Sequence, residues 1–302
     1  MLAVVGTVPD QQFPLTKGKV SLKNDIIRID GKKVPVNRGT PALMAAAVRA
    51  CEGLGHGEVF GFLAGDIGLG NGSRKIYEYL TKHLNEFNFH TIVFHYLQPD
   101  VDWHNRVMFA ICEMKKRPLL IADAGFMYAA KMSGQAPAYD LFTPDAGELA
   151  FLADEKAPHP FYTRGFILQE ENRIPDLIVR AYKHENAARY LMVKGKKDYV
   201  ANRQGILGMV DSPVNAAMEA IGGTGDTLTG LTAALVSSKK VLKMTIYEAA
   251  ILAARVNRLA GHFAAPTPAS RITEIIRHIP EALDKILHEN TSILCKGQKL
   301  TA

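Results

Sequence analysis

The chain contains 302 residues, of which 47% are apolar and 22% are charged, and its formal net charge at pH 7 is +6. These values are typical of a globular protein and exclude a disordered, collagen-like or coiled-coil chain. The basic residues are scattered rather than gathered into a stripe, so we expect no nucleic-acid partner, whereas a mild positive excess is compatible with small anionic ligands.

The predicted elements begin with a strand and hairpin region over residues 1–37. Within it, the polar stretch KVSLKNDIIRIDGKKVPV (19–36) is typical of a hairpin that turns near Asp30 and Gly31 and forms a small flap or edge structure. A helix is predicted over 40–51, because Pro41 lies in its first turn and apolar residues recur at helical spacing. Strands then alternate with amphipathic helices: strands at 59–64, 91–97 and 119–122, and helices at 73–87 and 104–116.

The second half of the chain continues this alternation. We predict a strand at 140–142, an irregular proline-containing stretch over 157–166, a helix at 176–188 and a strand at 190–193 that leads into a second hairpin. Three helices close the chain, at 224–237, 245–264 and 272–288, and a polar tail from Glu289 is expected to fray. No repeat or linker divides the sequence, so we expect a single domain over residues 1–302.

Near-continuous apolar strands separated by helices predict an α/β fold with a mainly parallel sheet covered by helices on both faces. In such sheets the ligand-binding loops lie at the carboxyl ends of the strands. The candidate functional residues should therefore follow the predicted strands.

Nothing in the sequence indicates export or a membrane segment. The first ten residues, MLAVVGTVPD, lack both a basic region and a long apolar run, and no run of 18 apolar residues occurs. The three cysteines, Cys51, Cys112 and Cys295, lie far apart without metal-binding spacing and are typical of reduced thiols. We therefore expect a cytoplasmic protein without a membrane partner.

The segment IGGTGDTLTGL, residues 221–231, carries the strongest chemical signal. Its glycines let backbone amides approach a ligand, and the helix that starts there contributes unpaired N–H groups and a partial positive charge, which together favour phosphate. Asp226 has two interpretations at this position. It either caps the helix or acts as a general base beside an anion hole. The Walker pattern of P-loop proteins is absent.

The same segment resembles the GTGD signature of ribokinase-like small-molecule kinases, in which it supplies the anion hole and the catalytic base. Four further stretches, in matching order, are similar to the NAD(P)H-hydrate dehydratase branch of that superfamily: AGDIGLGNGS (64–73), LLIADAG (119–125), LFTPDAGEL (141–149) and LMVKGKKDYVA (191–201). The resemblance covers most of the chain from Arg38 onward and implies a ribokinase-like fold.

The resemblance also implies roles for individual residues. Asp226 would be the catalytic base, and the anion hole and nucleotide site would comprise Gly222, Gly223, Thr224, Gly225, Lys194, Gly195, Lys196, Lys197 and Asp198. The substrate side would include Thr40, Gly70, Asp123 and Asp145. Without the resemblance, Lys194 is equally well interpreted as a solvated lysine at a strand end.

The chain departs from the dehydratase pattern at two places. Asp145 stands where the dehydratases place a histidine of their hydrate-binding site, and its three-residue spacing to Glu148 is similar to the N-x-x-E pattern with which related kinases organise Mg²⁺. Asp66 replaces a residue of the usual Ile-Gly-Pro turn, where it either caps the turn or contacts a changed substrate.

The sequence is compatible with three functions. The first is a dehydratase that uses ADP or ATP with Mg²⁺ to repair hydrated NADH or NADPH, and the second is a kinase that phosphorylates a small hydroxylated metabolite. The third is a nucleotide sensor that has lost the chemistry. Related enzymes commonly self-associate, so a homo-oligomer is possible. Five histidines show no metal-binding spacing and are expected to be ordinary core or surface residues: His56, His83, His90, His95 and His262.

Overall fold

The computed structural model describes residues 1–156, 173–239 and 242–297. Within these ranges the strands form one sheet in the order β11-β10-β9-β8-β7-β6-β1-β5-β2-β3-β4. The strands are β1 (Leu2–Val8), β2 (Thr16–Lys23), β3 (Ile26–Ile29), β4 (Lys32–Pro35), β5 (Val59–Gly65), β6 (Thr91–His95), β7 (Leu119–Ala122), β8 (Leu141–Phe142), β9 (Tyr190–Val193), β10 (Asp198–Asn202) and β11 (Gly205–Val210).

The six central strands, from β9 to β5, are parallel to one another, and antiparallel strands extend the sheet at both edges. The helices are α1 (Thr40–Gly53), α2 (Asn71–His83), α3 (Val101–Cys112), α4 (Ala124–Met132), α5 (Ala146–Ala153), α6 (Ile174–Lys183), α7 (Thr224–Ser238), α8 (Ile246–Ala264), α9 (Ile272–Arg277) and α10 (Ile279–Gly297).

Two apolar cores lie on opposite faces of the sheet. Helices α1, α7, α8, α9 and α10 enclose one core, and helices α2 to α6 enclose the other. Strand β1 shows how one strand contributes to both, since Leu2 and Val4 point into the first core while Ala3 and Val5 point into the second. Successive side chains of a strand face opposite ways, which is why a parallel sheet covered on both faces has continuous apolar strands. The α/β fold with a mainly parallel sheet is thus confirmed.

The N-terminal region differs from its prediction. Residues 16–35 do form edge strands, with turns at Asn24-Asp25 and at Asp30-Gly31, but β1 is a central strand paired with β5 and β6. The apolar run of Leu2–Val8 is buried on both faces. A strand and a hairpin were predicted within residues 1–37, but the central place of β1 in the sheet was not.

The remaining differences concern helices. Helices α4 and α5 were not predicted, and the helix predicted at 272–288 is divided at His278 into α9 and α10. Helix α10 continues to Gly297, beyond the point from which the tail was expected to fray. The irregular stretch predicted over 157–166 lies outside the described residues. In the described part of the chain, no helix has both the length and the apolarity needed to cross a membrane.

Candidate active site

A cleft of about 840 Å³ opens at the carboxyl ends of four neighbouring parallel strands. His95 ends β6, Asp123 directly follows β7, Asp145 follows β8 and Lys194 directly follows β9. Because these strands run in the same direction, their carboxyl ends lie at one edge of the sheet and bring the four side chains together. The first turn of α7 forms part of the cleft wall.

Helix α7 begins without a side-chain cap, at Gly223, whose backbone has φ of 108°. That left-handed conformation is readily adopted by glycine and leaves the amides of the first turn directed at the cleft. Asp226 lies in this first turn, but its carboxylate does not cap the helix. Its Oδ2 accepts a hydrogen bond of 2.6 Å from the backbone N–H of Gly39, in the loop before α1, and its Oδ1 lies 3.1 Å from Nε2 of His95.

The contacts of Asp226 determine its charge. Burial by itself would raise the pKa of this carboxyl, but the bond to His95, the positive charge of Lys194 and the amide of Gly39 together lower it below its usual value. The carboxylate is therefore ionised at neutral pH, since opposite charges and donated hydrogen bonds favour the charged form. An ionised acceptor beside the N-terminus of α7 is suited to take a proton from a hydroxyl.

His95 is the residue of this site that sequence reasoning missed. Its side chain is 1% exposed, its Nδ1 lies 3.0 Å from Oγ1 of Thr40, and its Nε2 lies 3.9 Å from the carboxylate of Asp123 in addition to the contact with Asp226. A search for metal-binding spacing could not find it. The signal that could have done so is its place near the carboxyl end of the strand predicted at 91–97, since the next predicted strand ends just before Asp123.

A second buried ion pair joins Lys194 to Asp123. Nζ of Lys194 lies 2.8 and 3.0 Å from the two carboxylate oxygens, and the hydroxyl of Thr229 donates a further bond of 2.6 Å to Asp123. Burial would lower the pKa of Lys194, but the carboxylates of Asp123 and Glu148 outweigh burial and raise it. Lys194 is thus a fixed positive charge in the cleft wall and not a solvated lysine at a strand end.

The loop after β9 is held by another ion pair. Asp198 is buried, pairs with Arg258 at 2.7 Å and accepts a bond from the amide of Gly195. Arg258 also donates to the carbonyl oxygens of Gly195 and Lys196. Asp198 therefore shapes the loop rather than reaching toward a ligand, whereas Lys196 and Lys197 are exposed at the cleft.

The three-residue spacing of Asp145 and Glu148 is that of a capping box at the start of α5. Oδ1 of Asp145 accepts from the amide of Glu148, while Glu148 accepts from the amide of Asp145 and from the hydroxyl of Tyr128. Burial, with Asp145 and Asp123 nearby, raises the pKa of Glu148. The described residues contain no cluster of three metal-ligating side chains. This donor set fits Mg²⁺ only as an ion whose other ligands are phosphate oxygens and water.

Of the residues expected on the substrate side, some line the cleft and others do not. Asp123 and Asp145 line the cleft, but Thr40 is fully buried beneath His95 and does not face it, contrary to expectation. Gly70 is the residue before α2 and is buried under the loop of Asp66. Gly222, expected at the anion hole, is exposed and lies outside the set of residues that line the cleft.

The hydrogen bonds of Asp66 distinguish between the two roles predicted for it, a cap of the turn and a contact with a changed substrate. Its carboxylate accepts hydrogen bonds from the amides of Gly68, Gly70 and Ser73 and from the hydroxyl of Ser73. Despite partial burial, these four bonds lower the pKa of Asp66. Asp66 therefore caps the turn between β5 and α2.

Comparisons with known proteins agree with this geometry. A family model described as NAD(P)H-hydrate dehydratase matches residues 98–281. An uncharacterized protein of Methanocaldococcus jannaschii is 41% identical over 246 residues, which cover 81% of this chain and all of that protein. A bifunctional NAD(P)H-hydrate repair enzyme of Hyperthermus butylicus is 38% identical over 116 residues, 36% of this chain and 20% of that enzyme.

Solved structures show the same fold at low sequence identity. An ADP/ATP-dependent NAD(P)H-hydrate dehydratase from Bacillus subtilis, co-crystallized with ATP and Mg²⁺, has a TM-score of 0.56 at 12% identity, over 94% of this chain and 88% of that one. A ribokinase-like superfamily protein from Enterococcus faecalis also has a TM-score of 0.56, at 16% identity, over 94% of this chain and 86% of that one. The fold is ribokinase-like, and the chain belongs to the NAD(P)H-hydrate dehydratase family.

Proposed function

We propose that the protein is a nucleotide-dependent dehydratase that repairs hydrated NADH or NADPH. The observation that carries this proposal is the ionised carboxylate of Asp226, held by Gly39 and His95 beside the uncapped N-terminus of α7. A general base and an anion hole are the two parts that phosphoryl transfer to a hydroxyl requires. Family membership supports the substrate class.

The chemistry would run in two steps. The hydroxyl oxygen of the hydrated ring attacks the terminal phosphorus of the nucleotide while Asp226 takes its proton, so that one phosphorus–oxygen bond forms and the bond to the leaving nucleotide breaks. The bond between the ring carbon and the ester oxygen would then break, and phosphate would leave. The adjacent ring carbon would lose a proton to water, and the electron pair of that carbon–hydrogen bond would restore the carbon–carbon double bond. The amides of Gly223, Thr224 and Gly225 would stabilise the negative charge during transfer.

The nucleotide phosphates would lie between the first turn of α7 and the loop after β9. Lys194 would supply a fixed charge, and the exposed Lys196 and Lys197 would supply adjustable ones. A Mg²⁺ ion that arrives with the nucleotide would be held by Asp145 and the phosphate oxygens, since Mg²⁺ commonly uses one or two protein carboxylates alongside substrate phosphates. ADP and ATP both fit this arrangement.

A second candidate function is a kinase for a small hydroxylated metabolite, which would stop after phosphoryl transfer. Asp145 favours it, because this acidic residue is exposed in the cleft where the resemblance predicts a histidine for hydrate binding. The same base and anion hole would serve both reactions. The difference lies only in whether the phosphate ester is eliminated.

The test supplies hydrated NADH with ADP or ATP and Mg²⁺, and follows both the return of the dihydronicotinamide absorbance and the nucleotide product. We expect the absorbance to return in step with nucleotide consumption. Asp226→Asn should lower turnover by roughly 10² to 10⁴ while preserving nucleotide binding. Asp176→Asn is the matched control, because Asp176 is an exposed aspartate in the first turn of α6.

Each other result has a defined meaning. Nucleotide binding without return of absorbance, together with a phosphorylated product from a hydroxylated metabolite, would replace the dehydratase with the kinase. Binding without any turnover would indicate a nucleotide sensor. Full activity in Asp226→Asn would refute Asp226 as the base.

A further inference from the structure

His95 connects three elements of the candidate active site through two hydrogen bonds. It ends β6, contacts Thr40 in the first turn of α1 with Nδ1, and contacts Asp226 in the first turn of α7 with Nε2. Both partner atoms are at ordinary hydrogen-bond distances of 3.0 and 3.1 Å. A buried histidine with both ring nitrogens engaged has one orientation only.

The partner on one side determines which ring nitrogen carries a proton. The carboxylate of Asp226 is ionised and can only accept hydrogen bonds. Nε2 of His95 must therefore carry a proton and donate it to Oδ1, whether the ring is neutral or charged. Thr40 can adapt, because its hydroxyl donates to an unprotonated Nδ1 and accepts from a protonated one.

The two donors constrain the carboxylate from two directions. Gly39 donates to Oδ2 and His95 donates to Oδ1, so each oxygen keeps one further acceptor site that can face the cleft. Without His95 the carboxylate would be held at Oδ2 alone and could rotate. A base displaced by about 1 Å from its substrate can lose roughly 10² in rate.

We propose that His95 is a positioning residue that holds the carboxylate of Asp226 in the orientation from which Oδ1 takes the proton of the substrate hydroxyl. This inference rests on the proposed function, since it presumes that Asp226 is the base. His95 lines the cleft wall but is only 1% exposed, so we assign it to Asp226 and not to direct contact with the substrate.

The charges around His95 define the pH dependence to be tested. Asp226 and Asp123 face Nε2, and Lys194 pairs with Asp123 at 2.8 Å. The ring of Tyr96 lies beside the imidazole, at 4.3 Å between centroids. The base must be ionised, so activity falls as the pH drops through the pKa of Asp226. Loss of the His95 donor removes a cause that lowers this pKa, and the acid limb of kcat should then move to higher pH.

Two substitutions separate positioning from folding. In His95→Gln the side-chain amide nitrogen can reach the position of Nε2, whereas in His95→Asn the shorter amide reaches only the position of Nδ1 and contacts Thr40. We expect His95→Asn to lower kcat by roughly 10² with little change in KM for the nucleotide. His95→Gln should recover most of the rate and restore the acid limb.

His104→Gln is the control for a buried histidine. His104 is also fully buried with both ring nitrogens engaged, by Tyr139 and Ser133, but it lies outside the cleft. We expect His104→Gln to change stability and not the pH profile of kcat. If His95→Asn and His95→Gln behave alike, or if neither changes kcat, the positioning role is refuted.

A second measurement does not depend on turnover. Nitrogen NMR of histidine-labelled protein should show Nε2 of His95 protonated, and Asp226→Asn should shift that resonance while leaving His104 unchanged. An unprotonated Nε2, or a signal indifferent to Asp226→Asn, would overturn the inference. If the expected NMR result appears but the protein does not turn over hydrated NADH, the contact stands and the proposed function fails, so the two failures are distinguishable.

Discussion

Replacing Lys194 with methionine tests a buried charge pair of the cleft, the pair of Lys194 and Asp123. Asp123 is 2% exposed and Lys194 is 12% exposed, so the substitution leaves a carboxylate without its counter-charge where water cannot replace it. Breaking a buried ion pair by removing one partner costs about 3–5 kcal/mol. The hydroxyl of Thr229 still donates a hydrogen bond of 2.6 Å to Asp123. We therefore expect the free energy of unfolding to fall by about 3 kcal/mol, the low end of this range.

This free energy converts into a measurable melting temperature. An unfolding entropy of about 2.1 cal/mol/K per residue corresponds to about 0.6 kcal/mol/K for 302 residues, so Lys194→Met should lower the melting temperature by about 5 °C in calorimetry. Lys197→Met, at an exposed position of the same loop, should change it by less than about 1 °C.

A double substitution completes this test. Adding Asp123→Asn to Lys194→Met removes the uncompensated charge and should recover much of the lost stability, because the amide does not require a counter-ion. The two substitutions should therefore be strongly non-additive. Two results would contradict this reasoning: a melting temperature of Lys194→Met equal to that of the unaltered protein, or effects of the two substitutions that simply add. Either would mean that Lys194 and Asp123 do not act as a buried ion pair.

The remaining predictions concern the loops and one helix end. Asp66→Ala should lower the free energy of unfolding by about 1–2 kcal/mol in denaturant titration, because four hydrogen bonds hold the turn before α2; an unchanged midpoint would contradict this. Arg258→Met should weaken ADP binding by calorimetric titration, since Arg258 organises the loop after β9, and equal affinity would separate that loop from the nucleotide site. Ala265→Gly should stabilise the protein by about 0.5–1 kcal/mol, because Ala265 ends α8 at φ of 44°, and a lower melting temperature would refute this.

Local sequence patterns were sufficient to predict most of the strands and helices. The strand at 119–122 and the helix beginning at 224 agree with their predictions because apolar periodicity and turn residues are local signals. Helices α4 and α5 were missed because each is short and follows its strand after a very short connection. The central position of β1 was missed because an apolar run near a chain end does not reveal its neighbours.

Part of the candidate site could also be predicted. Glycine backbone freedom and a helix start at Gly223 are encoded within one segment, so the uncapped N-terminus of α7 and the place of Asp226 in its first turn were predicted together. The capping roles of Asp66 and Asp145 have local spacing as well, yet spacing alone could not separate a cap from a substrate contact at Asp66, or from a metal ligand at Asp145. The hydrogen bonds of the folded chain show that both carboxylates act as caps.

The pattern of residues along the chain predicts the α/β class, the order of most elements and the position of the aspartate that follows the glycines. The contacts of that aspartate are visible only in the folded chain. Gly39 and His95 lie 187 and 131 residues from Asp226 along the chain, and Lys194 meets Asp123 across 71 residues. Such pairs form because parallel strands bring distant segments to one edge of the sheet. A charge that is buried there requires a partner, and no local sequence pattern shows which residue that partner is.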